Sequence, residues 1–191
     1  RALAAGIAAK DVVFSGVGKR SADIRMALAA GIGQINAESA EEVAQISAVA
    51  AAMGVVAPVA LRVNVDVDAG THAKISTGQR STKFGISTDQ REATSLYANI
   101  DVDPNIKPMG LAVHIGSQIR DLAPFELAYA ALLDVANGLR ASGLDVPCLD
   151  LGGGVGVDYQ MASDTDFGAY GALVTRLFKD SGYAIGFEPG R

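Results

Sequence analysis

The sequence predicts an α/β fold in which about six β/α units build a parallel sheet, and two patterns carry that reading. Short apolar, β-branched runs suit strands buried on both faces, and each is followed by a longer Ala- and Leu-rich stretch with helical spacing. Glycines and polar residues gather just after those runs, at the C-terminal ends of the expected strands. The chain has 191 residues, 49% hydrophobic and 19% charged, enough for one domain with a sizeable core and incompatible with general disorder. Consecutive units with short connections leave two architectures, an open doubly wound sheet or most of an eight-fold barrel. Both place a ligand at the same strand ends.

The first strand is expected at Val12 to Phe14, followed by a helix over Ser21 to Ala30 with Gly31 as its stop. Gln34 to Asn36 forms the next strand. Ser39 then caps free N–H groups, Glu41 and Glu42 suit the positive end of the dipole, and the helix runs over Ala40 to Met53 until Gly54. After a strand at Val59 to Val63 comes the segment 65–86, too long for an ordinary βα connection and so expected to be functional, its alternative being a surface insertion. Helix Thr88 to Asn99, strand Gly110 to His114, helix Pro124 to Ser142 ending at Gly143, strand Cys148 to Leu151, helix Thr165 to Ser181 and strand Ala184 to Phe187 complete the series.

Several function classes are excluded by composition. The 21 acidic against 16 basic residues, a net charge of −5, argue against nucleic-acid binding, which needs clustered Lys and Arg. A single cysteine, Cys148, makes no internal disulfide and points to a reducing, cytoplasmic setting. No apolar stretch is long enough to span a bilayer, so no membrane partner is expected. The opening Arg1-Ala-Leu-Ala-Ala-Gly-Ile has neither the flank nor the apolar run of a signal peptide, and reads as the interior of a longer sequence.

Three local patterns point to chemistry. In Leu149-Asp-Leu-Gly-Gly-Gly-Val-Gly156, glycines directly after a buried strand let the backbone approach a ligand and aim N–H groups at an anion such as phosphate; a tight turn explains them equally well. No Lys-Ser or Lys-Thr follows, so it is no Walker loop. In Phe187-Glu-Pro-Gly-Arg191, Glu188 suits a heteroaromatic N–H, Gly190 offers a backbone donor, and Arg191 suits a carboxylate or phosphate. In Val113-His-Ile-Gly-Ser-Gln118, His114 supplies a flat ring, with Ser117 and Gln118 as polar groups near the same site. His72 has no partner at metal-ligand spacing, so no metal is expected, and no nucleophile elbow supports a Ser-His-Asp triad.

Together, Phe14-Ser-Gly-Val-Gly-Lys19, Ile35-Asn-Ala-Glu-Ser39, Leu61-Arg-Val-Asn64, Asp66-Val-Asp-Ala-Gly-Thr-His72, Ile75-Ser-Thr-Gly78, Lys83-Phe-Gly-Ile86, His114-Ile-Gly-Ser-Gln118, Asp150-Leu-Gly-Gly-Gly154 and Glu188-Pro-Gly-Arg191 resemble the diaminopimelate decarboxylase family in kind and in order, over essentially the whole chain. The resemblance implies an enzyme that uses pyridoxal 5′-phosphate on an alanine-racemase-like TIM barrel and removes carbon dioxide from meso-diaminopimelate to make L-lysine. It implies a homodimer with sites at the subunit interface. By the same resemblance His114 stacks on the pyridine ring, and Glu188 pairs with the ring nitrogen and keeps it protonated. Ser117, Gly152, Gly153, Gly154, Pro189, Gly190 and the Arg191 backbone belong to the phosphate-holding segments. The Arg191 side chain meets a substrate carboxylate, and Arg62 lies near the ring.

The family's Schiff-base lysine sits in a Tyr-Ala-x-Lys-Ala-Asn context on the first barrel strand, which has no counterpart here, and Lys19 is not that residue. Residues 1–191 are therefore expected to form one incomplete barrel domain, without the first two strands or the mainly β C-terminal domain, and to be inactive alone. Two unpaired sheet edges are expected as well. Val65 stands where the family usually has Pro, which changes local stiffness. The alternatives are a related decarboxylase of ornithine, arginine or carboxynorspermidine, or a non-catalytic barrel that binds phosphate or the cofactor. Gly-rich loops that are merely turns would make a structural module.

Overall fold

The computed structural model describes residues 1–65, 85–87, 90–157 and 166–190, apart from the side chains of residues 87, 90 and 91. Two short 3-10 turns, Leu3–Ala5 and Ala9–Asp11, lead into β1 (Val13–Phe14). There follow α1 (Ser21–Ala30), β2 (Gln34–Ala37), α2 (Ala40–Met53), β3 (Ala57–Asn64), β4 (Ile86–Ser87) and α3 (Gln90–Val102). The described chain ends with β5 (Ile106–Ala112), α4 (Ala123–Ala141), β6 (Cys148–Asp150), α5 (Phe167–Phe178) and β7 (Ala184–Gly186).

The sheet order is β1-β2-β3-β5-β6-β7, with β4 paired to β3 off that path, and every pairing is parallel. Apart from β4, spatial order follows chain order without the reversal that a doubly wound sheet requires. The sheet is thus the arc of a β/α barrel with its helices outside. Among the described residues β1 pairs only with β2 and β7 only with β6.

Local chemistry places most elements where the sequence predicts them. The Ser39 Oγ accepts the Glu42 N–H at 3.2 Å, and Gly31 and Gly54 close their helices at φ of 69° and 65°, a left-handed backbone that glycine adopts without steric cost. Asp166 caps α5 by accepting the Ala169 N–H at 2.7 Å, so that helix starts at Phe167 rather than Thr165. α4 buries Phe125, Ala128, Tyr129, Leu132, Val135, Ala136 and Leu139, the spacing of one helix face. Each such large side chain contributes roughly 1.5–3 kcal/mol.

β5 begins earlier than expected. Lys107 and Pro108 pair with Pro58 and Val59, before a register irregularity between Val59 and Ala60. Proline and lysine weaken a strand read locally, but the long β3 supplies the partner that extends it. β4 was not expected. It adjoins the long 65–86 segment, most of which lies outside the described residues, as do His72 and Ile75 to Gly78.

Candidate functional site

Strand parity brings the polar residues to the barrel mouth. On β2, Ile35 and Ala37 join the apolar core, while Gln34 and Asn36, two apart, share the other face. Gln34 Nε2 donates to Asn36 Oδ1 at 2.7 Å and to Asp150 Oδ2 of β6 at 3.2 Å. That fixes the Asn36 amide, whose Nδ2 donates to Glu188 Oε1 at 2.8 Å and to Asp150 Oδ2 at 3.3 Å. The Asp150 Oδ1 accepts the Gly152 N–H at 2.9 Å. Burial, and then repulsion from Asp150, push the Glu188 carboxyl up to about 7 from an ordinary 4.5.

The three loops after β5, β6 and β7 meet at the glycines. A Cβ on Gly152 would strike the Val113 carbonyl, one on Gly153 the Glu188 carbonyl, and one on Gly154 the Gly116 carbonyl. Glycine is needed here because backbone takes the place of side chain. The resulting cleft of 350 Å³ is lined by Gly152 to Val155, Pro189 and Gly190, with Phe167, Tyr170 and Phe187 as its aromatic wall. The N–H groups of the three glycines already donate inside the chain: Gly152 to Asp150, Gly153 to His114 Nδ1 at 3.3 Å, and Gly154 to the Gly190 carbonyl at 3.0 Å. What the glycines supply is close approach of three loops, before any donor to an anion.

His114 follows β5 and is half-buried, and its ring is held below the usual imidazole range by burial and by the Arg62 guanidinium. Accepting at Nδ1, the uncharged ring carries its proton at Nε2. Arg62 makes a buried pair with Glu38, Nη1 at 2.8 and 3.0 Å from its two oxygens, and its Nη2 donates to the His114 carbonyl at 3.3 Å. It thus braces the strand end that carries His114. Gln118, at a positive φ of 59°, accepts the Val157 N–H at Oε1 and ties the loops after β5 and β6 together. Ser117 is half-buried in the same loop. Arg191 lies outside the described residues.

Lys19 is committed elsewhere: its Nζ donates to the carbonyls of Gly16 and Asn36 and to Glu42 Oε2, with a side chain only 1% exposed. That agrees with its not being a nucleophile. The residues that sequence reasoning missed are Gln34, Asn36, Asp150 and Glu38. Alternate polar residues on a buried strand were the available signal for the first two. Among the described residues no group of His, Cys, Asp and Glu could hold a metal ion, and no helix is long and apolar enough to cross a membrane.

A backbone-lined cleft, an uncharged imidazole beside it and a carboxyl with raised proton affinity fit a phosphorylated heteroaromatic group. Fold and site together define the class, a β/α-barrel domain of the pyridoxal-binding kind. The family description "Pyridoxal-dependent decarboxylase, pyridoxal binding domain" matches residues 1–191, and the chain belongs to that family. It is 45% identical over its whole length to the diaminopimelate decarboxylases of Zymomonas mobilis and of Neisseria meningitidis serogroup B, covering 45% and 46% of them. The crystal structure of diaminopimelate decarboxylase from Helicobacter pylori complexed with L-lysine superposes with a TM-score of 0.93 at 35% identity, over 99% of this chain and 48% of that one. The chain thus spans about half the length of the relatives it matches.

Proposed function

We propose that this chain is the cofactor-holding part of a diaminopimelate decarboxylase, which removes carbon dioxide from meso-diaminopimelate to give L-lysine. The observation that carries the reading is the junction at the glycine run, where Gly153 donates to His114 Nδ1 and the Glu188 N–H donates to the Gly152 carbonyl at 2.9 Å, with the Glu188 carboxyl held by Asn36. The names of its relatives, and the lysine in the Helicobacter structure, support the substrate. We further propose one incomplete barrel domain over residues 1–191, acting within a cytoplasmic homodimer.

When bound, pyridoxal 5′-phosphate supplies an electron-accepting ring for the pair left behind as carbon dioxide departs. His114 offers that ring a flat, uncharged face. Glu188 holds the proton shared with the ring nitrogen, and its raised proton affinity keeps that proton close. Ser117, Gly190 and the Arg191 backbone would hold the phosphate where Gly152, Gly153, Gly154 and Pro189 let the loops approach it, while the Arg191 side chain would bind a substrate carboxylate. Arg62 keeps His114 in place from behind.

Carbon dioxide release by the full-length protein from meso-diaminopimelate, ornithine and arginine in parallel tests the reading. Preference for meso-diaminopimelate is expected; preference for either other substrate overturns the assignment. The 191 residues alone are expected to bind the cofactor without turnover, checked by absorbance titration and the same assay.

A further inference from the structure

Among the described residues, Asp150 and Glu188 bring two acids of like sign together at the mouth. Asp150 is 2% exposed and Asn36 fully buried, the Asn36 amide donates to both carboxyls, and the two acids also lie within hydrogen-bonding reach of one another. The groups around Glu188 can be taken element by element. From β3, Arg62 pairs with Glu38 yet still favours the ionised Glu188, as does the Ser15 hydroxyl after β1; beyond the Asn36 backbone, Lys19 pairs with Glu42; from the loop after β5, the His114 ring is held below its usual range. Among the described residues Asp150 is the neighbouring charge that favours the protonated Glu188. Its position is also fixed, because both hydrogens of the Gln34 amide are used, one on Asn36 and one on Asp150, and the Gly152 N–H holds its other oxygen.

We propose that Asp150 is a positioning residue for Glu188: through the Gln34 and Asn36 amides it fixes the Glu188 carboxyl, and it sets a second acid beside it. Asp150 touches no reacting atom and acts only through Glu188. Its charge makes Glu188 a stronger proton holder, while the Asn36 donor limits that effect by stabilising the ionised carboxylate. The two residues therefore pull the Glu188 titration in opposite directions. The importance of this device for catalysis rests on the proposed role of Glu188 at the ring nitrogen, but the device itself can be read without cofactor.

The test is a pH titration of the Glu188 carboxyl by carbon-13 NMR of the full chain, labelled at glutamate carboxyls and prepared without pyridoxal 5′-phosphate. The Glu188 signal is the one lost in Glu188→Gln. Asp150→Asn is expected to lower the midpoint by about one pH unit or more, and Asn36→Ala to raise it. A midpoint unmoved in Asp150→Asn would overturn the proposal. So would a fall in both variants toward the ordinary glutamate range, since mere loosening of the mouth admits water in either case. Thermal unfolding of each variant verifies that it is folded, and either variant alone suffices to decide the sign of its own effect. Cofactor affinity of Glu188→Gln, measured by fluorescence, reports separately on the role of Glu188: an unchanged affinity counts against that role while the NMR shifts still decide the part played by Asp150.

Discussion

Asn36 stands between two buried polar clusters of opposite construction. Its backbone carbonyl receives Lys19, which pairs with Glu42 at 3.0 Å, and Arg62 pairs with Glu38 close by at 2.8 Å. Its side-chain amide faces Asp150 and Glu188, two carboxyls of like sign. The first cluster pairs opposite charges, so its work is to lock the loop before α1 to α2, β2 and β3. In the second, burial and repulsion act in the same direction and leave a proton that is easily gained or lost. Like charges held together by design mark a site where protons are handled, whereas opposite charges buried together hold structure.

The comparison is broken most severely by removing one member of an opposite pair. Glu42→Ala leaves the Lys19 ammonium buried without its carboxylate and is expected to cost about 3–5 kcal/mol, measured by urea unfolding. A cost under about 1 kcal/mol would mean that the two carbonyls satisfy Lys19 without it. Gly153→Ala attacks the other side, since its Cβ would strike the Glu188 carbonyl. It is expected to cost about 1–3 kcal/mol and to weaken cofactor binding, read by unfolding and fluorescence titration. Retained stability and affinity would show that the loops after β6 and β7 can separate freely. A neutral pair sets the scale below these: Tyr129 and Tyr170 share a hydroxyl contact of 2.7 Å, and Tyr170→Phe should cost about 1 kcal/mol.

The smallest expected effect is a pH slope. The folded state holds the Glu188 proton up to about 7, whereas the unfolded chain releases it near 4.5. Folding therefore binds a proton between those values, and the Glu188 contribution to stability falls as pH rises through that window. His114, held below its ordinary value, contributes the opposite slope, its stability being lost as pH falls. Unfolding at about pH 5 and about pH 8 should show Glu188→Gln losing relatively less stability than the parent at the higher pH. Equal changes in both would mean that Glu188 titrates normally.

How legible this was in the sequence depends on the range of each interaction. α1 and α2 were legible to the residue, because the Ser39 cap and the glycine stops at Gly31 and Gly54 act within one turn. β5 was legible in existence but not in extent, because Pro108 weakens a strand locally and only β3 supplies its partner. At the site, His114, Glu188 and the glycine run stood out as short patterns. Gln34 and Asn36 did not, since their partner Asp150 lies 116 and 114 residues away.

By itself the sequence determined the alternation of strands and helices, the caps, and the presence of a glycine run, an imidazole and a carboxyl at strand ends. These are written in spacing and residue type, which act over a few residues. Only the tertiary structure decided that the sheet is a barrel arc rather than an open doubly wound sheet, because that turns on the spatial order of strands. It alone decided that Lys19 and Arg62 find carboxylate partners while Glu188 lies beside a second acid. The charge state of a buried group is set by what chain closure brings within hydrogen-bonding distance and by how much water is excluded there, and neither is a property of neighbouring residues in the sequence.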